Sequence, residues 1–148
     1  MPAIIAITDA LAENGAWLVA AEPVHRMLRP AIPHPYRGYM HRMFGEGAEM
    51  AVLTDNDAVH AIAVFRCHHT TYNGLRFYID DLVTDEAARS RGHGGTLLRW
   101  CEDRARARGC HTFALDSGVQ RTHAHRFYFR HGLSIVSFSF KKHLRDFG

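Results

Sequence analysis

The chain has 148 residues, of which 47% are hydrophobic and 22% charged, and its formal net charge is +3. These values are typical of a globular chain and exclude a disordered or fibrous one, so residues 1–148 are expected to form a single domain. The small net charge argues against a nucleic-acid partner. A membrane partner is also not expected, since no apolar run approaches the roughly 20 residues that a membrane span needs.

The cysteines and the N-terminus indicate a compartment. Three cysteines (Cys67, Cys101 and Cys110) show no C-x-x-C spacing, which predicts free thiols in a reducing compartment and no structural zinc or other metal site. The first residues lack a basic stretch followed by a long apolar run, as a signal peptide would have. We therefore expect a cytoplasmic protein.

The first third of the chain predicts two helices. Thr8 and Asp9 precede an Ala- and Leu-rich segment of helical spacing and are expected to cap its helix. The section Pro23–Pro35 holds four prolines, so it cannot be one continuous helix and is expected to be a helix remnant followed by a loop. The stretch Tyr36–Phe44 predicts a second short helix, stopped by the glycines that follow it.

The middle of the chain predicts strands. Met50–Leu53 and Val59–Phe65 flank the turn cluster Asp55-Asn56-Asp57, which indicates an antiparallel hairpin. The turn Tyr72-Asn73-Gly74 then leads into a third strand, Leu75–Val83.

The last part of the chain predicts two more helices and two more strands. A glycine-rich loop opens a helix that ends at Gly109, and Thr112–Leu115 forms a short buried strand. Thr122 begins a helix that runs to His131, and Ser134–Phe140 alternates as a half-buried strand would. The predicted order is ααβββαβαβ, an α/β (α+β type) domain with a mixed sheet.

The glycine-rich loop is the most informative motif. Arg89-Ser90-Arg91-Gly92-His93-Gly94-Gly95-Thr96 lies between a predicted strand and a helix start, where free N–H groups and the helix dipole favour an anion. Alone, such a turn is also compatible with ordinary turn chemistry. A P-loop would need a lysine before Thr96, and a dinucleotide fingerprint a third glycine where Leu97 stands.

The pattern R-x-x-G-x-G at Arg89–Gly94 resembles the coenzyme A pyrophosphate loop of the GNAT superfamily of N-acetyltransferases. Ile79–Val83 resembles the strand that runs into this loop in the family. Arg121–Tyr128, followed by His131-Gly132-Leu133, resembles the family's A-x-x-F-Y helix and turn. Within the superfamily, these segments look most like aminoalkylphosphonate and related small-amine acetyltransferases.

The resemblance implies a GNAT fold and acetyl-CoA as cosubstrate. This fold has a mixed, mostly antiparallel central sheet, splayed between its fourth and fifth strands and flanked by helices on both faces. The backbone of the fourth strand would pair with the pantetheine arm, an N–H near Leu82 would stabilise the oxyanion, and the loop would hold the pyrophosphate. The implied cofactor-binding residues are Leu82, Val83, Thr84, Arg89, Arg91, Gly92, His93, Gly94, Gly95, Thr96 and Arg121.

The resemblance also implies two catalytic residues. Asp81 stands where the related phosphonate enzymes carry a carboxylate and would be the base or the amine anchor; alternatively, it is a structural hydrogen-bond partner. Tyr128 would be the general acid that returns a proton to the thiolate, since a phenol of ordinary pKa near 10 is protonated. The alternative is an aromatic side chain that only packs on the sheet.

The acceptor side is expected to hold Asp80, Tyr36, Arg37 and His68. Asp80 is expected to partner a cation, and the Arg37 guanidinium to hold an acidic substrate group.

The sequence therefore predicts an enzyme that transfers acetyl from acetyl-CoA to a primary amine of a small molecule by direct attack in a ternary complex. The alternatives are a protein or peptide N-acetyltransferase and a non-catalytic acyl-CoA-binding module. Family members commonly dimerise, which implies a homodimer, although no residue pattern indicates its interface.

Overall fold

The computed structural model describes residues 1–147, which form five strands and four helices; Gly148 lies outside the described residues. In chain order the elements are β1 (Ala3–Ile7), α1 (Ala12–Leu28), α2 (Tyr36–Gly45), β2 (Glu49–Asp55), β3 (Ala58–Thr70), β4 (Gly74–Thr84), α3 (His93–Ala107), β5 (Thr112–Leu115) and α4 (Thr122–Arg130). A short 3₁₀ turn, Glu86–Ala88, precedes the glycine-rich loop.

The sheet is mixed, with strand order β1-β2-β3-β4-β5. The first four strands are antiparallel neighbours, and β5 is parallel to β4. Helices α1 and α2 pack on one face of the sheet around Leu18 and Met40, and α3 packs on the other around Leu97 and Leu98. The predicted fold class, a mostly antiparallel sheet with helices on both faces, is confirmed.

The chain begins with a strand that the sequence analysis missed. Residues 3–7 form β1, which pairs antiparallel with β2. The run is only five residues long, but its isoleucines favour an extended backbone. The helix α1 then begins at Ala12, later than predicted, although Asp9 still accepts hydrogen bonds from the Leu11 N–H at 3.0 Å and from the Asn14 amide at 2.9 Å.

The section from Pro23 to Pro35 is not one continuous helix, as predicted. The predicted helix remnant at Pro23 is the last part of α1, which runs through Pro23 and ends at Leu28 before the loop. Pro23 and Val19, whose carbonyl loses its helical partner to the proline, are both exposed. The unpaired carbonyl therefore lies on the side where water can satisfy it.

The predicted last strand, Ser134–Phe140, is wrong for the chain as described. Residues 134–147, the C-terminal segment, contain no helix or strand, and all of them are exposed. The alternation of the sequence is real, but no neighbouring strand within residues 1–147 pairs with it.

None of the helices in residues 1–147 is long and apolar enough to cross a membrane.

Candidate active site

The two strands β4 and β5 separate partway along the sheet. Their parallel pairing covers Arg76–Ile79 of β4 and ends at the pair Ile79–Leu115. From Asp80 to Thr84, β4 continues with β3 on one side, while no strand within residues 1–147 pairs with its other side. The predicted splay is therefore present, and it leaves backbone donors and acceptors of β4 free to pair with an extended ligand.

A bulge at Asp80 sets the direction of the side chains at this open edge. Opposite β3, Val64 pairs with Asp81 and the next residue pairs with Ile79, so Asp80 is the extra residue. Without a bulge, Ile79 and Asp81 would face the same side. Instead, Ile79 packs with the cluster on the α3 face, and Asp81 meets α1 on the opposite face.

The glycine-rich loop opens α3 with a left-handed residue. Gly92 is the N-cap with φ of 79°, a conformation that favours glycine. The Thr96 N–H donates a hydrogen bond to the Gly92 carbonyl at 3.0 Å. It is therefore not available to a ligand, contrary to the expectation that Thr96 binds the cofactor. The three N–H groups before it, at residues 93–95, have no partner inside the helix and are free to bind an anion.

The space around the glycines at the floor of this loop is narrow. A Cβ atom on Gly94 would lie 3.3 Å from Thr84 Oγ1 and 3.7 Å from the Phe127 ring, and one on Gly95 would lie 3.4 Å from the His131 ring. The residues present therefore suit a phosphate group that must approach the backbone closely, as the pyrophosphate of coenzyme A would.

Two adjoining open cavities lie over the loop and the open edge of β4, with volumes of about 420 and 780 Å³. The smaller one lies over the loop itself, and the larger one extends along β4 to α4. Both are bordered by Thr84, Arg89, Ser90, Gly94, Phe127 and Arg130. The larger cavity adds, among others, Leu82, Val83, Arg121 and Tyr128.

Tyr128 lies on α4 at the larger cavity, together with Leu82 of β4. Burial raises the pKa of Tyr128 above its ordinary value, while the charge of Arg121 acts in the opposite direction. The phenol is therefore protonated at neutral pH and able to donate a proton. The structure brings together Tyr128, the open edge of β4 and the glycine-rich loop, as the sequence analysis expected.

Asp81 is held in a buried network. One carboxylate oxygen lies 2.7 Å from His25 Nε2, and the other accepts a hydrogen bond from Arg29 Nε at 2.6 Å. His25 Nδ1 lies 2.8 Å from the Tyr36 hydroxyl. Burial disfavours the charged carboxylate, but the hydrogen bonds and charges of His25 and Arg29 prevail and hold the pKa of Asp81 below its ordinary value. Asp81 is thus ionised at neutral pH.

The sequence analysis missed both partners of Asp81. His25 and Arg29 lie 56 and 52 residues away in the chain, and neither belongs to a motif. A weak signal was present: two basic residues at the end of a helix, four positions apart, share one face of it.

The predicted acceptor residues do not come together. Tyr36 is buried, with its hydroxyl at His25, and Arg37 donates two hydrogen bonds to the Ala10 carbonyl, at 2.7 and 3.0 Å. His68 pairs with Arg76 near the opposite end of β4. Since Arg76 is eight residues from Thr84 along β4, His68 lies about 26 Å from that end of the strand. These placements correct the expected acceptor wall at Tyr36, Arg37 and His68, since none of the three borders either cavity.

Asp80 does partner a cation, because its carboxylate accepts a hydrogen bond from Arg66 Nε at 2.8 Å. That cation belongs to the neighbouring strand β3 and not to a substrate.

His93 enters the site differently from the prediction. Its side chain is buried and stacks on His60 with ring centroids 5.2 Å apart, so only its backbone faces the anion site. Among the other cofactor-binding residues predicted, Arg89 and Arg121 border the cavities, while Arg91 is exposed and borders neither of them. The structure adds Arg99, Arg130 and His131 at the smaller cavity.

The acetyltransferase (GNAT) family profile matches residues 21–133 of the chain. An uncharacterized N-acetyltransferase of Bacillus subtilis (strain 168), YhdJ, is 37% identical over 98 residues, which are 66% of this chain and 69% of that protein. The aminoalkylphosphonate N-acetyltransferase of Salmonella typhimurium (strain LT2) is 36% identical over 80 residues, 54% of this chain and half of that protein.

Among solved structures, the aminoglycoside N-acetyltransferase AAC(6')-Iy in complex with CoA has the same fold. Its TM-score is 0.79 with 14% identity, and the match covers 99% of this chain and 96% of that one. The splayed sheet, the glycine-rich loop and the family match agree. The chain therefore belongs to the GNAT family and is an acetyl-CoA-dependent N-acetyltransferase.

Proposed function

We propose that the protein acetylates the primary amine of a small molecule by direct attack in a ternary complex. The observation that carries this proposal is that the open edge of β4 lies between an ionised carboxylate and a protonated phenol. The ionised Asp81 lies on the α1 face, directly before Leu82 and Val83, which border the larger cavity, and the protonated Tyr128 borders the same cavity from α4. One group suits a cationic amine and the other a departing thiolate.

The chain's own backbone holds the cosubstrate in this proposal. The free edge at Leu82–Thr84 pairs with the pantetheine arm, and an N–H near Leu82 polarises the thioester carbonyl. The first N–H groups of α3 bind the pyrophosphate, and Arg89, Arg91 and Arg121 add positive charge around it. The open edge, the cradle glycines and the bordering cavities support this assignment.

Asp81 acts on the amine side. Its carboxylate attracts the substrate ammonium, and its oxygens can each accept a further hydrogen bond beside those from His25 and Arg29. Because its pKa is held low, Asp81 is a weak base, so we assign it as amine anchor. The amine loses its proton to water before it attacks.

Tyr128 acts on the sulfur side. Attack of the neutral amine on the thioester carbon forms the C–N bond and breaks the C–S bond. The Tyr128 hydroxyl then supplies a proton to the sulfur, which leaves as a thiol. The proton that the new amide nitrogen loses passes to water, and water returns a proton to the Tyr128 phenolate, so that the step balances.

The acceptor side chain that replaces the predicted Arg37 is Arg29. The Arg29 side chain is 52% exposed and is held beside Asp81 by hydrogen bonds from its Nε to Asp81 and from its Nη2 to the Asp80 carbonyl. Arg37 bonds to the Ala10 carbonyl instead and does not meet Asp81. A small amine that also carries an acidic group would pair its ammonium with Asp81 and its anion with Arg29. The likeness to the Salmonella aminoalkylphosphonate enzyme supports such a substrate.

We also propose that the chain works as one domain in the cytoplasm, where acetyl-CoA is made and its three cysteines stay free thiols. A homodimer, implied by the family resemblance, is part of the same proposal.

The test is a thiol-release assay with acetyl-CoA across aminophosphonates, polyamines, aminoglycosides and amino acids. We expect turnover with a small amine, highest with one that carries an acidic group, and lower turnover of that amine by Arg29→Ala. The matched control is Arg42→Ala, an exposed arginine on α2.

No turnover with any of the four classes, but turnover with peptides, would favour the protein-acetylating alternative. Binding of acetyl-CoA without thiol release on any amine or peptide would favour the binding-module alternative. Turnover of polyamines alone, unaffected by Arg29→Ala, would contradict the assigned acidic group.

A further inference from the structure

Two of the three cysteines meet outside the site described above. The sulfurs of Cys67 and Cys110 lie 3.2 Å apart, although 43 residues separate them in the chain. Both are free thiols, and both residues are half-buried, so a small reagent can reach them from the solvent. The sequence analysis found no C-x-x-C spacing and did not predict this pair.

The pair lies where the chain crosses from α3 to β5. Cys67 is on β3, opposite Phe77 of β4, and Cys110 is the second residue before β5 begins. The backbone around Cys110 is fixed. Its N–H donates a hydrogen bond to the Ala105 carbonyl at 2.9 Å, and the next N–H donates one to the Leu75 carbonyl at 2.7 Å. Both sulfurs are therefore carried by backbone that the fold already orders, and a disulfide bond requires them to move only about 1 Å closer.

A guanidinium lies beside the pair. Arg108 donates hydrogen bonds to both carboxylate oxygens of Glu49, at 2.6 and 2.7 Å, which fix its position. The hydrogen bond with Glu49 raises the pKa of Arg108 above its ordinary value, burial opposes this, and Cys67 raises it further. Arg108 is thus a permanent cation next to a sulfur, and a neighbouring cation favours the thiolate that thiol chemistry requires.

The two sulfurs are suited to different steps. Burial raises the pKa of Cys110 to about 11, and Cys67 contributes in the same direction, while Arg108 acts in the opposite one. Cys110 is therefore a thiol at neutral pH, which leaves Cys67 as the sulfur that attacks first. The contribution of Cys67 to the pKa of Cys110 is lost once Cys67 is bonded to another sulfur, so Cys110 is then more acidic.

We propose that Cys67 and Cys110 form a modification site at which a low-molecular-weight disulfide of the glutathione type oxidises the pair to an intramolecular disulfide. The Cys67 thiolate, whose proton passes to water, attacks one sulfur of the reagent. The S–S bond of the reagent breaks, a mixed disulfide forms on Cys67, and the first glutathione leaves as a thiolate that takes up a proton.

The second step is intramolecular. Cys110 loses its proton to water and attacks the Cys67 sulfur, and the second glutathione leaves as a thiolate that takes up a proton. Two thiols of the chain are thereby oxidised by two electrons, and one glutathione disulfide is reduced to two thiols. The thiol pair is the form present under reducing conditions, and the bond forms when small disulfides accumulate.

The bond closes a loop that contains β4, the glycine-rich loop and α3. A closed loop of this length restricts the unfolded chain and so stabilises the folded one. Cys67 lies opposite Phe77, which is seven residues, or about 23 Å, from Thr84 along β4. The modification therefore stabilises the protein at a place remote from the open edge of β4.

The first measurement equilibrates the full chain with glutathione and glutathione disulfide over a range of ratios, without acetyl-CoA or an amine. The remaining thiols are alkylated in denaturant and counted by intact mass, and linked peptides are identified after digestion. As the ratio becomes more oxidising, we expect the number of alkylated cysteines to fall from three to one. The one that remains is the buried Cys101, because burial raises its pKa to about 12.

The same samples should show a Tm that rises by about 5–10 °C on oxidation and returns when dithiothreitol is added. Three alkylated cysteines at the most oxidising ratio overturn the proposal. A stable glutathione adduct on Cys67 or Cys110 without a bond between them also overturns it, as does a bond to Cys101 or between two chains.

The second measurement uses matched variants under the same conditions. Cys110→Ser should accumulate one glutathione on Cys67 and show no rise in Tm. The control Cys101→Ala should still form the bond and show the full rise relative to its own reduced form. An equal rise in Cys110→Ser would contradict the bond as the cause. If a variant is too unstable to purify, the linked peptide of the wild type still decides the question. No acetyl transfer is measured, so the result is independent of the proposed function.

Discussion

The two faces of the sheet differ in how completely helices cover them. On the α1 and α2 face, the core is closed, and even the polar His25 is buried and satisfied. On the α3 and α4 face, the half nearest β5 is open, with cavities over the loop and a helix that buries no residue. In the proposed mechanism, the closed face holds the charges that meet the amine, and the open face binds the long cosubstrate.

The bulge at Asp80 connects the two faces. It allows neighbouring residues of one strand to serve different layers, with Ile79 in the α3 core and Asp81 in the buried network at α1. The open edge begins at the same residue. In the proposed mechanism, the reaction therefore takes place where the regular alternation of β4 is broken, and the following variants test each side of that point.

The largest effect is expected on the open face from Tyr128→Phe. Removal of a general acid typically lowers kcat by about 10²- to 10⁴-fold, while binding of acetyl-CoA should change little because the ring remains. Steady-state kinetics and a separate cofactor titration check this. Tyr39→Phe, a half-buried tyrosine on α2, is the control and should keep full activity; equal kcat in both variants would remove Tyr128 from the mechanism.

The next effect concerns the loop. Gly94→Val fills the space between Thr84 and Phe127 and should weaken acetyl-CoA binding about 100-fold, or roughly 2.7 kcal/mol, without unfolding the protein. The control Gly45→Val lies at the end of α2, where an added Cβ atom meets no atom within 4 Å. Calorimetric titration of acetyl-CoA decides the matter. Similar affinity in both variants would mean that the ligand does not approach Gly94.

On the closed face, Asp81→Asn replaces a buried carboxylate that is hydrogen-bonded to both His25 and Arg29. Hydrogen bonds to charged groups contribute about 1.5–3 kcal/mol, so we expect a loss of about 2 kcal/mol in urea unfolding. The control is Asp80→Asn, whose ion pair with Arg66 is partly exposed and should cost less than about 1 kcal/mol.

The pH dependence of the Asp81 contribution has a definite sign. The folded pKa is lowered from the ordinary 3.8, so the contribution is complete above that value and is lost as the pH falls below it. A gap between the wild type and Asp81→Asn that stayed constant down to pH 2 would contradict the network.

The open face was the easier one to predict from the sequence. The loop, β4 and Tyr128 are local patterns whose chemistry follows from residue order. The limits of β4 were predicted within one residue and those of β5, Thr112–Leu115, without error, whereas β3 continues to Thr70, five residues beyond its predicted end. The coenzyme A end of the site could therefore be described before any coordinates.

The closed face could not be predicted in the same way. Its site depends on contacts between α1 and β4 more than 50 residues apart, and on a one-residue bulge that the sequence does not signal. An alternating pattern such as Ser134–Phe140 presents a further ambiguity. The alternation alone does not show whether a neighbouring strand is present to pair with the segment.

The smallest effect concerns His93, at the boundary between the loop and the core. Burial lowers the pKa of His93 below its ordinary value of 6.5, and the neighbouring His60 and Arg91 lower it further, while Asp55 acts in the opposite direction. Below pH 6.5 the unfolded chain then binds more protons at this residue than the folded one, so stability should decline as the pH falls. The imidazolium would also sit at the positive end of α3.

His93→Asn should therefore make urea stability less dependent on pH between 7 and 5 than it is in the wild type. The control is His69→Asn, an exposed residue of β3, which should leave the slope unchanged. If His93→Asn and the wild type show the same slope, the folded and unfolded chains bind protons equally at His93. The stacked imidazoles would then tolerate a charge, and the inner end of the loop would be as open to water as the cavity above it.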